Sequence, residues 1–298
     1  MNYNEFKEAL KREVEERLEG KAAVSFRTIS KMNQVAKESI QIEKTGGKVS
    51  PVFSLEDLYG AYAVNEDFGK CVEEVLRIYE EKSCVNEKEI PMTWEEARER
   101  IQFRLVKKVW NEEMLKRTPY QEYLDFAAVF YVSLSQTEEL RATITVTREM
   151  AEMWGVTETE LWEMAKKNFE KEAFFIETME SVLSELLGEE VPEIKESQQG
   201  EGILYILSNR KREYGARAVL RTEELQRLAD EQKSSFYLLP SSIHEWILCK
   251  DDGETDVHMM KEIVREINGD SHIIIPEECL SDSIYYYDWK QNEVRIVA

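Results

Sequence analysis

Cysteine, glycine, proline and histidine are all scarce in this chain of 298 residues, at four, twelve, six and three respectively. Cys71, Cys84, Cys249 and Cys279 lie far apart and form no C-x-x-C pair, which excludes a disulfide framework or a zinc knuckle and predicts reduced thiols. The glycines form no G-x-G-x-x-G, no G-x-x-x-x-G-K-[ST] and no G-x-S-x-G, so the usual nucleotide-binding and serine-hydrolase signatures are absent. His244-Glu245 begins like the zinc-protease signature H-E-x-x-H. The fifth position is Leu248, however, and the segment reads as a strand. Neither His244 nor His258 nor His272 has a cysteine near it. No metal and no cofactor is therefore predicted.

Long apolar runs are missing too. Phe126–Leu134 and Ile203–Leu207 fall far short of the roughly 20 residues a membrane helix needs, so no membrane span is predicted. Met1–Lys7 alternates polar and charged residues where a signal peptide needs a basic start and an apolar core. A cytoplasmic location is expected.

What the chain has is charge. Sixty acidic residues face 39 basic ones, a net charge of −21, while 42% hydrophobic residues suffice for a substantial core. Such an excess repels nucleic acid at long range, which makes a protein the expected partner. The charge is uneven. Residues 149–201 hold 15 Glu and 4 Lys. Arg98–Arg117 holds seven basic and three acidic residues, and Arg210–Arg221 holds five and one. These basic islands read as solvated faces or as partners of the acidic helices, with an anion or RNA contact as the alternative.

Apolar spacing predicts helices over Asn4–Leu18, Ser54–Ala63, Asp67–Lys82, Thr222–Gln232 and Val257–Ile267. Thr93 with Glu96, and Thr157 with Glu160, have capping-box spacing. Phe175–Leu187 reads as further helix. Strands are predicted at Ala22–Ile29, Glu38–Lys44, Ile101–Trp110, Leu124–Leu134, Ala142–Thr147, Ile203–Leu207, Gly215–Leu220, Phe236–Leu239, His244–Cys249, Ser283–Trp289 and Val294–Val297. Short turns between paired strands imply an α+β fold. Its antiparallel sheets would come from repeated strand-strand-helix units, with helices on one face. Gly188–Gly200 combines glycine, proline, charge and amides, so it is the predicted linker between an N-terminal part (1–188) and a C-terminal part (201–298).

Two polar segments stand out as candidate binding elements. The first offers Ser241, Ser242, His244 and Glu245, and the second offers Asp282, Ser283 and Tyr285. Ser242, His244 and Trp246 alternate onto one face of a strand. Neighbours on one face are roughly 7 Å apart, so a serine nucleophile there would need its base and oxyanion donors from elsewhere. The segments are expected to converge, with Ser242, His244, Asp282 and Tyr285 lining one concavity and Arg210, Lys211 and Arg212 as a candidate anion contact. The bland alternative is that each cluster satisfies its own turn.

LDFAAVFYV (Leu124–Val132), WGVTETELWEMA (Trp154–Ala165), YILSNRKREYGARAVL (Tyr205–Leu220), FYLLPSSIHEWIL (Phe236–Leu248) and LSDSIYYYD (Leu280–Asp288) resemble an uncharacterised bacterial domain-of-unknown-function family, DUF family 5688, over almost the whole chain. Trp154–Cys249 is similar, more weakly, to a second uncharacterised bacterial family. The resemblance implies a bacterial, cytosolic protein of one architecture and assigns no activity. The expected function is that of a non-enzymatic binding or regulatory protein. Two readings stay open beside it: a hydrolase or transferase built from LPSSIHE and LSDSIYYYD, and an acidic mimic of nucleic acid using residues 149–201. In limited proteolysis of the native chain, the first cut is expected within Gly188–Gly200; protection of that stretch with cleavage elsewhere would refute the linker.

Overall fold

The computed structural model describes residues 1–30, 32–34, 36–44, 51–83, 90–136, 141–188 and 202–298. They form two compact units, Met1–Met92 and Thr93–Ala298. The fold is α+β, with three antiparallel sheets.

In the first unit, α1 (Tyr3–Arg17) starts at a capping box in which Asn2 and Glu5 satisfy each other's backbone N–H. Phe6, Leu10 and Val14, at spacing of four, form its buried stripe. The stripe joins Val24 of β1 (Ala22–Ser30), and Ile40 and Ile42 of β2 (Ala36–Lys44), in one core. Val24 opposes Ile42, as same-face residues of an antiparallel pair must. β3 (Val52–Ser54) pairs with β2, and Ser54 caps α2 (Leu55–Asn65), which α3 (Phe68–Ser83) follows.

The second unit opens with α4 (Trp94–Ala97), whose Thr93–Glu96 capping box is formed. β4 (Ile101–Lys107), β5 (Tyr120–Tyr123), β6 (Phe126–Gln136) and β7 (Arg141–Thr145) make a four-stranded sheet, and α5 (Glu112–Leu115) lies between β4 and β5. β6 is its spine. It pairs with β4 along residues 126–132, with β5 along 126–129 and with β7 from 131 onward. After α6 (Arg148–Trp154) and α7 (Glu158–Phe169) the chain enters a six-stranded sheet of order β13-β12-β10-β11-β9-β8. Its strands are β8 (Phe174–Thr178), β9 (Leu204–Asn209), β10 (Phe236–Ser242), β11 (Glu245–Lys250), β12 (Tyr285–Asp288) and β13 (Glu293–Ile296). Three helices, α8 (Met179–Leu187), α9 (Thr222–Gln232) and α10 (Val257–Gly269), connect them.

Several expectations need correction. Phe175–Leu187 is not one helix: Thr178 ends β8 and caps α8 by accepting from the Ser181 N–H, and β8 adds to the sheet beside β9. Gly215–Leu220 is a buried 3-10 turn, although its apolar-polar alternation imitates a strand. Strand-strand-helix order holds for β6–β7–α6 and β10–β11–α10 but fails after β9, where that turn takes the second strand's place. β10 continues through Pro240. Its β12 partner has stopped at Leu238, so one side there has no ladder that needs an N–H. Residues 189–200 of the expected linker lie outside the described residues. The strands on either side of them, β8 and β9, pair directly, so the parts they were expected to separate share one sheet, and the two compact units meet at 92/93 instead.

The 3-10 turn depends on close backbone approach. A Cβ on Gly215 would lie 2.4 Å from the His244 carbonyl oxygen and 2.8 Å from the Asn209 nitrogen, both backbone atoms. Gly215→Ala should therefore destabilise the chain by roughly 1–3 kcal/mol, the cost of overpacking a rigid site. Urea denaturation measures this; an unchanged midpoint and slope would show that the backbone can yield there.

Candidate functional site

The β10–β11 turn is organised by Ser242, whose hydroxyl accepts from the His244 N–H at 3.0 Å. His244 Nδ1 accepts the backbone N–H of Tyr214 at 3.0 Å, so this nitrogen carries no proton. Nε2 lies 3.5 Å from Glu278 Oε1. The imidazole stacks on the Tyr214 ring, with centroids 5.7 Å apart and planes 19° from parallel. Tyr214 itself has φ 50° and ψ 30°, a left-handed conformation that a bulky side chain rarely adopts. Its position is fixed on three sides: the His244 ring, Gly215 pressed on the His244 carbonyl, and Ser208 Oγ donating to that same carbonyl at 2.8 Å.

Below Tyr214 lies Arg104. Arg104 opposes Val129 across β4 and β6, and Thr145 opposes Tyr131 across β6 and β7, so Arg104, Tyr131 and Thr145 share a face. The Arg104 guanidinium donates from Nη1 to the Tyr214 hydroxyl at 3.2 Å and from Nη2 to Thr145 Oγ1 at 2.8 Å. It also packs on the rings of Tyr214 and Tyr131, 5.1 and 5.9 Å from their centroids. The residue is 7% exposed, and its Nε is buried without a hydrogen-bond partner. Among the described residues no carboxylate lies within ion-pair distance of it.

Its neighbour Arg217 is the contrasting case. At 1% exposure it donates to Glu172 Oε2 at 2.6 Å, the Phe103 carbonyl at 2.7 Å, and Tyr131 Oη and Gln102 Oε1 at 3.2 Å. Asn209 Nδ2 donates to the other Glu172 oxygen at 2.7 Å. Arg217 Nε also lacks a partner, but the charge as a whole is balanced. Burial pushes the Tyr131 phenol up to about 12, with Glu172 and Glu213 adding to the rise and Arg217 opposing it.

A second cluster forms at the end of β4. Lys107 Nζ pairs with Asp125 and donates to Ser281 Oγ at 2.9 Å and Ser283 Oγ at 3.0 Å. An ammonium has three N–H donors, and all are used. The Tyr285 hydroxyl lies 2.6 Å from Asp125 Oδ1 and 2.9 Å from Ser281 Oγ, and burial together with the Asp125 charge raises its pKa. Serine–lysine catalysis needs a neutral amine with a free lone pair facing the hydroxyl. Here the amine is ion-paired and only donates, so the cluster fastens residues 281–285 to β4 and to the turn before β6.

The candidate residues therefore divide. Ser242 and His244 belong to the Tyr214 group, and Ser241 donates weakly to Glu245 at 3.5 Å. Ser283 and Tyr285 belong to the Lys107 group, while Asp282 accepts from Asn268 Nδ2 at 2.7 Å. The rings of Trp246, Tyr285 and Phe126 pack on one another. Arg210 pairs with Glu177 at 3.0 Å and Arg212 with Glu185 at 3.1 Å, and both guanidinium groups lie over Phe175. Lys211 is exposed beside them. Beside Asp125 a depression of about 460 Å³ collects Lys108, Lys116 and Arg148, which pair with Glu122, Glu113 and Glu158. Sequence reasoning missed Arg104, Lys107, Asp125, Tyr214 and Glu278. The signals were the two basic islands, 98–117 with Arg104 and Lys107 and 210–221 with Tyr214.

Among the described residues no group of three or more His, Cys, Asp or Glu is placed to hold a metal ion, and no helix is long and apolar enough to cross a membrane. Over residues 3–289 the chain matches, and belongs to, the family described as "Family of unknown function (DUF5688)". No curated protein and no solved structure matches it.

The raised phenols make a pH prediction. Tyr123 and Tyr131 are both pushed up to about 12, Tyr123 by burial and then by Glu293, from an unfolded value of 10.0. The neutral phenol is the form the fold favours, so stability is full below pH 10 and falls as pH rises toward 12, where the unfolded chain ionises first. Tyrosinate absorbance followed with ellipticity should show part of the tyrosine signal appearing only with unfolding. Complete ionisation near pH 10 of a still-folded chain would contradict the burial of these two rings.

Proposed function

We propose that this chain is a bacterial, cytoplasmic binding or regulatory protein that performs no catalysis of its own. The supporting observation is the engagement of the groups that chemistry would need. The His244 Nδ1 lone pair is taken by the Tyr214 N–H, and the Lys107 N–H groups are taken by Asp125, Ser281 and Ser283. A general base must present a lone pair to its substrate, and neither group does. That arrangement speaks against the hydrolase or transferase reading, in which LPSSIHE and LSDSIYYYD would form one site.

The partner we propose is a protein and not nucleic acid. A net charge of −21 opposes a polyanion, and the basic side chains that could counter it locally, Arg210, Arg212, Lys108, Lys116 and Arg148, are paired with glutamates.

A fluorophosphonate probe applied to the native chain should label none of Ser241, Ser242, Ser281 and Ser283. Fluorescence anisotropy at low salt should register no binding of DNA or RNA oligonucleotides, and native mass spectrometry of gently purified protein should reveal a retained partner. Labelling of any of those serines in the folded but not the heat-denatured chain would overturn the proposal. So would salt-dependent oligonucleotide binding, for the choice of partner.

A further inference from the structure

We propose that Arg104 anchors a binding site for a small oxyanion, the carboxylate or phosphate group of a low-molecular-weight ligand, at the rim formed by Tyr214 and Thr145. The proposal rests on the reading of this chain as a binding protein and names the ligand chemistry.

Three independent features meet at this residue. The first is charge. Arg104 is 7% exposed, and its contacts are two neutral hydroxyls and two aromatic faces. Those contacts offset the desolvation of a guanidinium only in part, and a buried cation ordinarily has an anion beside it. Arg217, which packs on the same Tyr131 ring, shows how the fold treats a cation it needs for structure: it supplies Glu172. The described residues supply Arg104 with no such counterion.

The second feature is the shape of the remaining donors. Nη1 and Nη2 hold the Tyr214 and Thr145 hydroxyls, while Nε is the donor without a partner. Nε and Nη2 form the side-on edge of the guanidinium fork, which grips two oxygens of a carboxylate or phosphate in parallel. The two hydroxyls are rotatable and can turn their own protons toward such an oxyanion. Both rim residues are half-buried, so the rim reaches solvent while the charge lies beneath it. Entry requires the Tyr214 ring or the Thr145 side chain to swing outward.

The third feature is strain. Tyr214 is held at φ 50° by the His244 stack and the tight packing of Gly215, and the result is a phenol aimed at the Arg104 fork. An unfavourable backbone conformation persists where the surroundings impose it, most often at a ligand clamp or a switch. His244 and Glu278 complete the outer wall behind the ring.

The test uses isothermal titration of the full chain with sodium phosphate and, separately, sodium succinate. Saturable binding of at least one is expected, weakening with added salt, and the anion that binds tells phosphate from carboxylate chemistry. Arg104→Gln should raise the dissociation constant about tenfold or more, as loss of a charge-assisted hydrogen bond implies. In anion-free buffer the same variant should melt no lower than the parent, because it removes an unbalanced buried charge. Tyr214→Phe and Thr145→Val keep the packing and should each weaken binding several-fold. Absence of binding by both anions, or binding unchanged in Arg104→Gln, overturns the site. If Arg104→Gln does not fold, unchanged binding in both hydroxyl variants overturns it. Chemical turnover of a bound anion would leave the Arg104 site standing and refute the non-enzymatic reading; no anion effect and no serine labelling would do the reverse.

Discussion

Arg217 carries a full positive charge into the interior of the second unit, and the arrangement around it follows from the need to balance that charge. Its guanidinium reaches Glu172 after α7, the backbone of Phe103 and the side chain of Gln102 on β4, and Tyr131 on β6. One residue of the 3-10 turn that follows β9 is thereby tied to the four-stranded sheet. Removing one partner of such a pair strands the other charge, at a typical cost of about 3–5 kcal/mol, far above that of an exposed ion pair. Hence the turn cannot drift, and Gly215 at its start is pressed onto the β10–β11 connection.

Positions next to that anchor inherit their geometry from it. Tyr214 precedes Gly215 and takes a left-handed backbone because its neighbours on both sides are held. Its phenol then meets Arg104, and its N–H removes the His244 Nδ1 lone pair from any other use. Lys107, three residues beyond Arg104, points to the other face of β4 and is fully matched by Asp125, Ser281 and Ser283. Three buried or nearly buried cations on or near one strand thus have three different settings: one balanced by a carboxylate within a polar network, one saturated by an aspartate and hydroxyls, and one faced, among the described residues, by neutral groups alone.

Local signals were legible where the chain solves its own problem locally. The capping boxes at Thr93–Glu96 and Thr157–Glu160 need only residues three apart, and both are formed. Likewise the apolar stripe of α1 and the hairpin of β12 and β13 come from spacing and a short turn. Failures came where a distant partner overrode local preference. Gly215–Leu220 alternates like a strand, but Arg217 must point inward to Glu172 and Gly215 must touch His244. Phe175–Thr178 falls in a predicted helix, whereas β9, more than twenty-five residues later, recruits these residues as a strand.

Composition and short-range pattern by themselves determined the α+β class, the antiparallel pairing, most helices and the acidic character of the surface, since each rests on side chains within a few residues or on totals that do not depend on arrangement. Which polar residues became neighbours was decided by the tertiary structure alone. Asp125 meets Tyr285 across 160 positions, Lys107 meets Ser281 across 174 and Arg104 meets Tyr214 across 110. Spacing along a strand or helix carries no information about such contacts. The pairing of basic turn Arg210–Arg212 with Glu177 and Glu185 shows the same limit from the other side, because a run of positive charge looks alike in sequence whether its counterions are in the protein or in a ligand.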